Sequence, residues 1–574
     1  MWPAVGGRPL EPGGFAVVTG VEAQKMLERR DDYAALRRDF RWNIPARYNI
    51  GTAVSDVWAR HSPGRTALIA YRPEGAPDIL TYGELAARSS VLAAALVRRG
   101  VRAGDRVALL LPQGFETAIA HLAIYKLGAI AVPLALLFGI EALEYRLHTA
   151  GVSAIITNGA GLAKVRRIAG RLPLLGLIVS IDGDDAEAVG FDRLLGEPVG
   201  DFAPVDSGPD DPALMIFTSG TTGPPKGALH GHRVLLGHLP GVIMHHEFMP
   251  QPGDILWTPA DWAWAGGLLN ALLPALALGV PVVCSRAEKF DPEAAVLLME
   301  KAGVRNAFIP PTALRMLRSV RDIRKHFALD LRTIGSAGES LGRETFEWGM
   351  SELGMAINEF YGQTECNIVL SSCAALGVSR AGAIGLPVPG HEVAVLDGDA
   401  RPVEPGETGQ IAVRRPDPVM FLEYWGDPQA TEKKFIGDWM MTGDQGTVDG
   451  DGYVTFFGRD DDVITSAGYR IGPAEIEDCL TGHPDVSLAA AVGKPDPLRT
   501  EIVKAYLVLR DGVTPSAELA AEISNFVRER LSAHEYPREV AFVDSMPLTT
   551  SGKVIRRIFR DRARAEAEEQ GRTA

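Results

Sequence analysis

Basic charge, cysteine and unbroken apolar runs are all scarce in this chain, and each scarcity excludes something. Its 574 residues carry 58 Lys and Arg against 72 Asp and Glu, a formal net charge of −14. A nucleic-acid partner needs clustered Lys and Arg to meet phosphates, so that class is disfavoured. Cysteine occurs four times, at Cys284, Cys366, Cys373 and Cys479, with no Cys-x-x-Cys. That pattern offers neither a zinc site nor a disulfide framework and suits a reducing compartment. Residues 1–7 lack a basic stretch followed by an apolar one, so no signal peptide is evident. Glu11, Glu22, Glu28, Asp31 and Asp32 come too early for a transit peptide. Segments 118–143 and 266–284 are apolar but interrupted. His121 and Lys126 break the first, and Asn270, Pro274 and Pro281 the second, so both read as buried core. A cytoplasmic protein without stable membrane insertion is expected, and a homo-oligomer is left open.

What is present reads as an α/β protein. Hydrophobic residues at 46% and charged residues at 23% are ordinary for a globular protein, and the length exceeds a single core. Residues 105–111 read as a strand, 115–127 as a helix and 129–133 as the next strand, an alternation that signals parallel βαβ units. The acidic, Pro- and Gly-rich stretch 198–212 reads as a linker between two such layers. Gly458-Arg459-Asp460-Asp461-Asp462 is a charged, glycine-led hinge candidate. Beyond it, strands at 502–509 and 538–543 and a helix at 518–531 suffice for a small α+β domain. The tail 560–574 is charged and reads as a solvated or frayed helix. The expected division is a large N-terminal domain of βαβ subdomains over 1–458, with 1–47 as an extension, and a small C-terminal domain over 459–574.

The densest chemical signal is Phe217-Thr218-Ser219-Gly220-Thr221-Thr222-Gly223-Pro224-Pro225-Lys226-Gly227, directly after the apolar run 213–217. Glycines let backbone N–H groups crowd a polyphosphate, hydroxyls add donors, and Lys226 adds a point charge. This is a phosphate loop for a nucleotide. It is not a Walker A loop, because Gly227 and Ala228 follow the lysine where Ser or Thr is required.

Five further motifs follow in order. They are Ser336-Ala337-Gly338-Glu339-Ser340; Glu359-Phe360-Tyr361-Gly362-Gln363-Thr364-Glu365; Thr442-Gly443-Asp444; residues 458–477, with a helix starting at Pro473; and Pro547-Leu548-Thr549-Thr550-Ser551-Gly552-Lys553. Together they resemble the adenylate-forming superfamily of acyl-CoA synthetases, luciferases and nonribosomal adenylation domains, from about residue 48 to residue 560. The segment Phe40-Arg41-Trp42-Asn43-Ile44-Pro45 is similar to the lead-in of acetyl- and medium-chain acyl-CoA synthetases.

The resemblance implies a two-step ligase using ATP, Mg2+ and coenzyme A. Thr218, Ser219, Gly220, Thr221, Thr222 and Lys226 would hold the β- and γ-phosphates. Thr364 would donate to the α-phosphate and Glu365 would position Mg2+, which takes one or two carboxylates plus phosphate oxygens. Asp444 would accept the ribose hydroxyls, with Arg459 nearby. Tyr361, Gly362 and Gln363 would pack at the adenine, beside the backbone of Gly338, Glu339 and Ser340. Lys553 would be the adenylation catalyst, a cation between the attacking carboxylate and the α-phosphate. In this family the small domain is mobile; the hinge would be Asp461, the phosphate-side arginine Arg470, and the coenzyme A face Ala467, Gly468 and Tyr469, with Arg528 at the 3′-phosphate.

The acyl pocket can be argued from four positions. Acetate-specific relatives narrow it with valine, threonine, valine and tryptophan; this chain has Ala265, Gly266, Ala337 and Gly362. Each is smaller, and each buried methylene is worth about 0.8 kcal/mol. Trp262 and Trp264 would form an aromatic wall. A medium-chain, branched or aromatic monocarboxylate is favoured over acetate. The rival enzyme is a stand-alone adenylation enzyme that loads a carrier protein, with Asp261 the candidate to hold an ammonium group. The rival from another class, a nucleotide-binding regulator that has lost catalysis, is disfavoured because Lys553, Glu365 and Asp444 are all present. The pairs His230/His232 and His245/His246 lack the spacing of a helical metal site, and the aspartates 460–462 are not followed by a calcium loop.

Overall fold

The computed structural model describes residues 26–218, 224–287, 289–459, 462–466, 469–497, 499–531, 535–549 and 553–573, with backbone alone at 469–470 and 570–573. Among these residues the strands form four sheets. An eight-stranded sheet runs in the order Glu423–Tyr424, Gly227–Gly231, Pro212–Phe217, Ile130–Pro133, Arg106–Leu110, Ala154–Thr157, Leu177–Ser180 and Val189–Gly190. It is parallel except where Gly227–Gly231 pairs antiparallel with both its neighbours. A nine-stranded sheet is parallel from Thr66–Ala70 through Val282–Cys284, Leu256–Trp257, Asn306–Phe308 and Thr333–Ser336 to Ile357–Gln363. Antiparallel strands finish it at both ends.

The βαβ reading therefore describes the large part of the molecule. The helix Arg233–His245 touches both sheets, and every one of its residues is buried. A helix apolar on all sides suits a position between two layers. The apolar segment 266–284 becomes core helix and then the strand Val282–Cys284. No helix among the described residues is long and apolar enough to cross a membrane. All four cysteines are buried and outside disulfides.

A third sheet, built on Thr408–Arg414 and Trp439–Val448, is antiparallel. The fourth belongs to the small C-terminal unit. There Val486–Asp496 and Thr500–Leu509 form a long antiparallel pair, and Glu539–Phe542 adds in parallel.

Two expectations need correction. The stretch 198–212 joins two strands of one sheet, Val189–Gly190 and Pro212–Phe217, not two layers. It is also pinned, since Ser207 accepts the Tyr48 N–H at 2.8 Å and Val205 N–H donates to Lys126 O at 2.7 Å. The tail is not a frayed appendage. Helix Arg556–Thr573 buries Phe559 and Ala563 against the last sheet, with the Phe559 ring stacked on Tyr506 at 4.4 Å. Two apolar side chains at i and i+4 anchor a helix most of whose other positions are charged. At the opposite end, Phe40 and Trp42 pack edge to face at 4.8 Å, and the Trp42 indole N–H donates to Gly390 O at 3.0 Å.

Candidate active site

The phosphate loop leaves the carboxyl end of Pro212–Phe217 and returns as Gly227–Gly231. Its neck is closed by the Thr218 N–H donating to Lys226 O at 2.9 Å and the Lys226 N–H to Thr218 Oγ1 at 3.4 Å. Ser219, Gly220, Thr221 and Thr222 lie outside the described residues. The Lys226 ammonium sits 5.3 Å from the Tyr424 ring centroid, and the Tyr424 hydroxyl donates to Glu365 Oε1. Strand pairing explains that bridge. Tyr424 is in register with Ala228, just past the lysine, and the Phe421 N–H donates to Glu365 O at 2.8 Å. Burial, and then the Glu365 carboxylate, push the Tyr424 phenol up, so it stays a donor.

Thr364 and Glu365 are the two residues of a tight hairpin turn, since Gln363 pairs with Cys366 across strands Ile357–Gln363 and Cys366–Ser371. Just before the turn the register shifts at Gly362. The same strand sends Tyr361 and Gln363 toward Asp444. The Tyr361 hydroxyl donates to Asp444 Oδ2 at 2.6 Å, and Gln363 Nε2 donates to the same oxygen at 3.1 Å. Arg459, in register with Asp444 on the neighbouring strand, places Nε 3.7 Å from Oδ1. Gly443 lies in a bulge of the strand Trp439–Val448 at φ +80°, a conformation that glycine adopts without strain.

Lys553 completes the cleft. Its loop is closed by the Thr549 N–H donating to Lys553 O at 2.6 Å and the Lys553 N–H to Thr549 Oγ1 at 2.9 Å. The Lys553 Cε lies 3.5 Å from the point a Cβ on Gly338 would occupy. Its surface opens to the cleft, yet the crowding walls lower its ammonium pKa. Glu339 and Asp444 act against that shift, and Arg459 and Arg556 with it. Glu339 is itself held by Arg315 at 2.7 Å and by the Thr312 hydroxyl. Ser340 follows on the same partly buried loop.

Among the residues expected to line an acyl pocket, Trp262 is buried, and Trp264 meets the Phe138 ring edge-on at 5.7 Å. Ala337 is buried, and a Cβ on Gly266 would reach the Phe308 ring at 3.1 Å. Ala265 opens the helical segment beside it. Gly362 has a different physical reason from the expected one. A Cβ there would meet Ile368 N at 2.4 Å and Asn367 Cα at 2.5 Å, so the close-packed hairpin requires glycine whatever the substrate. Asp261 Oδ1 accepts the Ala263 N–H at 2.9 Å, which makes it a turn-stabilising carboxylate; burial pushes it up to about 6.

The residues expected to face coenzyme A are less defined. Asp461, Ala467 and Gly468 lie outside the described residues, and Tyr469 and Arg470 are described as backbone in the strand Tyr469–Ile471. Arg528 is exposed on helix Ala517–Arg530, its guanidinium 5.5 Å from the Tyr536 ring centroid. The four histidines are core side chains, with His232 Nδ1 accepting the Ile50 N–H and His246 Nδ1 against Thr333 Oγ1. Tyr424, Arg315 and Lys434 belong to the site but carry no motif that marks them.

A family model described as AMP-binding enzyme matches residues 55–425, and the AMP-binding enzyme C-terminal domain matches residues 475–553. The chain belongs to the AMP-binding enzyme family. It is 32% identical to the uncharacterized acyl–CoA ligase YtcI of Bacillus subtilis, over 90% of this chain and 96% of that protein. It is 32% identical to the acetyl-coenzyme A synthetase of the same organism, over 85% of this chain and 86% of that one. Among solved structures, the anthranilate CoA ligase AuaEII in complex with anthranoyl-AMP superposes with a TM-score of 0.84 at 28% identity, covering 92% of this chain and 99% of that one. This AMP-binding enzyme is thus an AMP-forming acid–thiol ligase of the acyl-CoA ligase class, whose family uses ATP, Mg2+ and coenzyme A.

Proposed function

We propose that the protein activates an apolar monocarboxylate larger than acetate, of medium-chain, branched or aromatic type, to its coenzyme A thioester. A carboxylate oxygen of the acid attacks the α-phosphorus of ATP; the bond to the β-phosphate oxygen breaks, and pyrophosphate leaves. The coenzyme A sulfur then attacks the acyl carbon, and AMP leaves. Positioning and charge neutralisation carry such a reaction. Lys553 stabilises the charge that develops between acid and α-phosphate, Thr364 donates to the α-phosphate, and Lys226 holds the outer phosphates with Thr218 and its loop. Asp444 takes the ribose, and Tyr361 and Gly338 flank the base.

One observation carries this reading: Lys553, from the C-terminal unit, reaches the Gly338 backbone in the same cleft as Asp444, Arg459 and Glu339. Glu365 fits the magnesium, since one carboxylate already oriented by Tyr424 and adjacent to the phosphate lysine is a donor set that Mg2+ completes with phosphate oxygens and water. When bound, the ion supplies charge neutralisation on the polyphosphate. For the second step the C-terminal unit turns about Asp461, withdraws Lys553, and brings the Ala467–Gly468–Tyr469 face and Arg470 to the adenylate, with Arg528 toward the coenzyme. Support for a larger acid comes from Ala337, Ala265 and Gly266; Gly362 no longer counts.

The test is a competition. Purified protein, Mg-ATP and coenzyme A meet an equimolar pool of short- to long-chain, branched and aromatic acids, and products are read by mass spectrometry. Acyl-CoA strongest above acetate is the expected result, and acetyl-CoA dominating the products overturns the size argument. Adenylates accumulating without thioester would move the acceptor to a carrier protein.

A further inference from the structure

Lys434 occupies an unusual place for a lysine that follows the charged pair Glu432-Lys433. It caps the short helix Pro428–Lys433, and the chain then pairs back on the strand Trp439–Val448, with the Met441 N–H donating to Lys434 O at 2.7 Å. That hairpin sets the side chain beside the bulged Thr442-Gly443-Asp444 segment of the strand. Its ammonium donates to Gln363 Oε1 at 3.0 Å, Met441 O at 3.1 Å and Thr442 O at 3.1 Å. An ammonium has three protons and no acceptor, and here each proton has an oxygen.

This matters for Gln363. A carboxamide has an oxygen end and an NH2 end of nearly equal shape, and its neighbours decide which way it faces. A donor-only partner at one end leaves a single favourable orientation. Oε1 turns to Lys434, and Nε2 turns to Asp444 Oδ2 and Thr442 O, each at 3.1 Å. Flipped, the amide would set its oxygen against a carboxylate. With the Tyr361 hydroxyl also donating to Oδ2, that oxygen takes two protein donors, while Oδ1 lies toward Arg459 on the other side of the carboxylate.

We infer that Lys434 is a positioning residue for ribose recognition, locking the Gln363 amide so that Asp444 holds one oxygen on the protein and presents the other to the nucleotide hydroxyls. The inference rests on the reading of Asp444 as the ribose acceptor. The Lys434 ammonium is taken up by Gln363, Met441 and Thr442, so it acts through them.

The test compares binding of ATP and of 2′,3′-dideoxy-ATP to the full-length protein by calorimetry, for wild type, Lys434→Met, Gln363→Glu and Asp444→Asn. Wild type should prefer ATP. Lys434→Met should cut that preference about tenfold, the scale of one charge-assisted hydrogen bond, and leave dideoxy-ATP binding nearly unchanged. Gln363→Glu keeps an acceptor for Lys434 but removes the donor to Asp444, so it should show the same loss even if the methionine variant fails to fold. Equal weakening toward both nucleotides would make Lys434 merely structural and overturn the inference. A preference lost in Asp444→Asn but kept in Lys434→Met and Gln363→Glu overturns it alone, whereas a preference kept in Asp444→Asn overturns the ribose reading and the inference together.

Discussion

Asp478 Oδ2 accepts the backbone N–H of Arg343 at 2.8 Å, tying helix Pro473–Thr481 of the C-terminal unit to the start of helix Arg343–Trp348. Burial pushes the Asp478 carboxyl up to about 6, opposed by the Arg343 N–H, with Glu344 adding to the rise and Arg315 countering it. Arg318 and Arg510 face the same junction. Away from the contact the carboxyl returns toward its ordinary 3.8, so protonation favours docking. Docking is strongest below about pH 4, weakens as the pH rises through about 6, and is level above that. Hydrogen exchange of residues 473–481, corrected for intrinsic rates, should show protection falling between about pH 4 and pH 6. Asp478→Asn should flatten that profile; identical profiles would show that the contact is not proton-linked.

Lys553→Ala should lower adenylate formation from acid and ATP by about 10²- to 10³-fold. Thioester formation from preformed acyl-AMP should survive, because the proposed function gives the lysine no part in that step. Rapid-quench measurement of the two half-reactions separates them, and an equal loss in both would remove the role assigned to Lys553.

Substitutions at two neighbouring small residues should behave differently. Gly362→Ala drives a methyl into the Asn367 backbone, which overpacks the hairpin and costs about 1–3 kcal/mol of stability. Urea unfolding should register it. Ala337→Val should instead shift acid preference toward acetate by roughly tenfold, as two methyls occupy space a longer acid would fill. The competition assay reads that shift directly.

Tyr424→Phe removes the hydroxyl that donates to Glu365 Oε1. The carboxylate loses its orientation, and the Mg2+ concentration for half-maximal activity should rise roughly tenfold, the usual scale for losing a partner behind a metal ligand. A magnesium titration at saturating ATP checks this, and an unchanged midpoint would detach Tyr424 from the metal.

Much of the layered fold was legible because its elements are buried on both faces and read as plain apolar runs. The expected strand 105–111 is Arg106–Leu110, and the expected helix 115–127 is Phe115–Lys126. The third sheet was not legible, since half-buried strands such as Trp439–Val448 interleave polar residues, and Thr442-Gly443-Asp444 reads as a turn but is a bulge within the strand. Lys434 was hidden for a related reason. A lysine after Glu432 and Lys433 reads as a solvated helix end, and strand pairing decides that it points inward. Gly362 shows the converse error, since a missing side chain reads as space until the backbone that fills it is seen. The tail misled because its anchors, Phe559 and Ala563, are outnumbered by charges.

That last helix gives the molecule a sharp carboxyl-terminal threshold. Lys553 sits in a narrow loop bridged by Leu548 and Val554, and the helix begins at Arg556, directly downstream. The Phe559–Tyr506 stack and Ala563 therefore moor the loop. A deletion series run inward from residue 573 should leave turnover nearly intact until Ala563 is reached, and then abolish it within a single helical turn, although every motif through Lys553 would still be encoded.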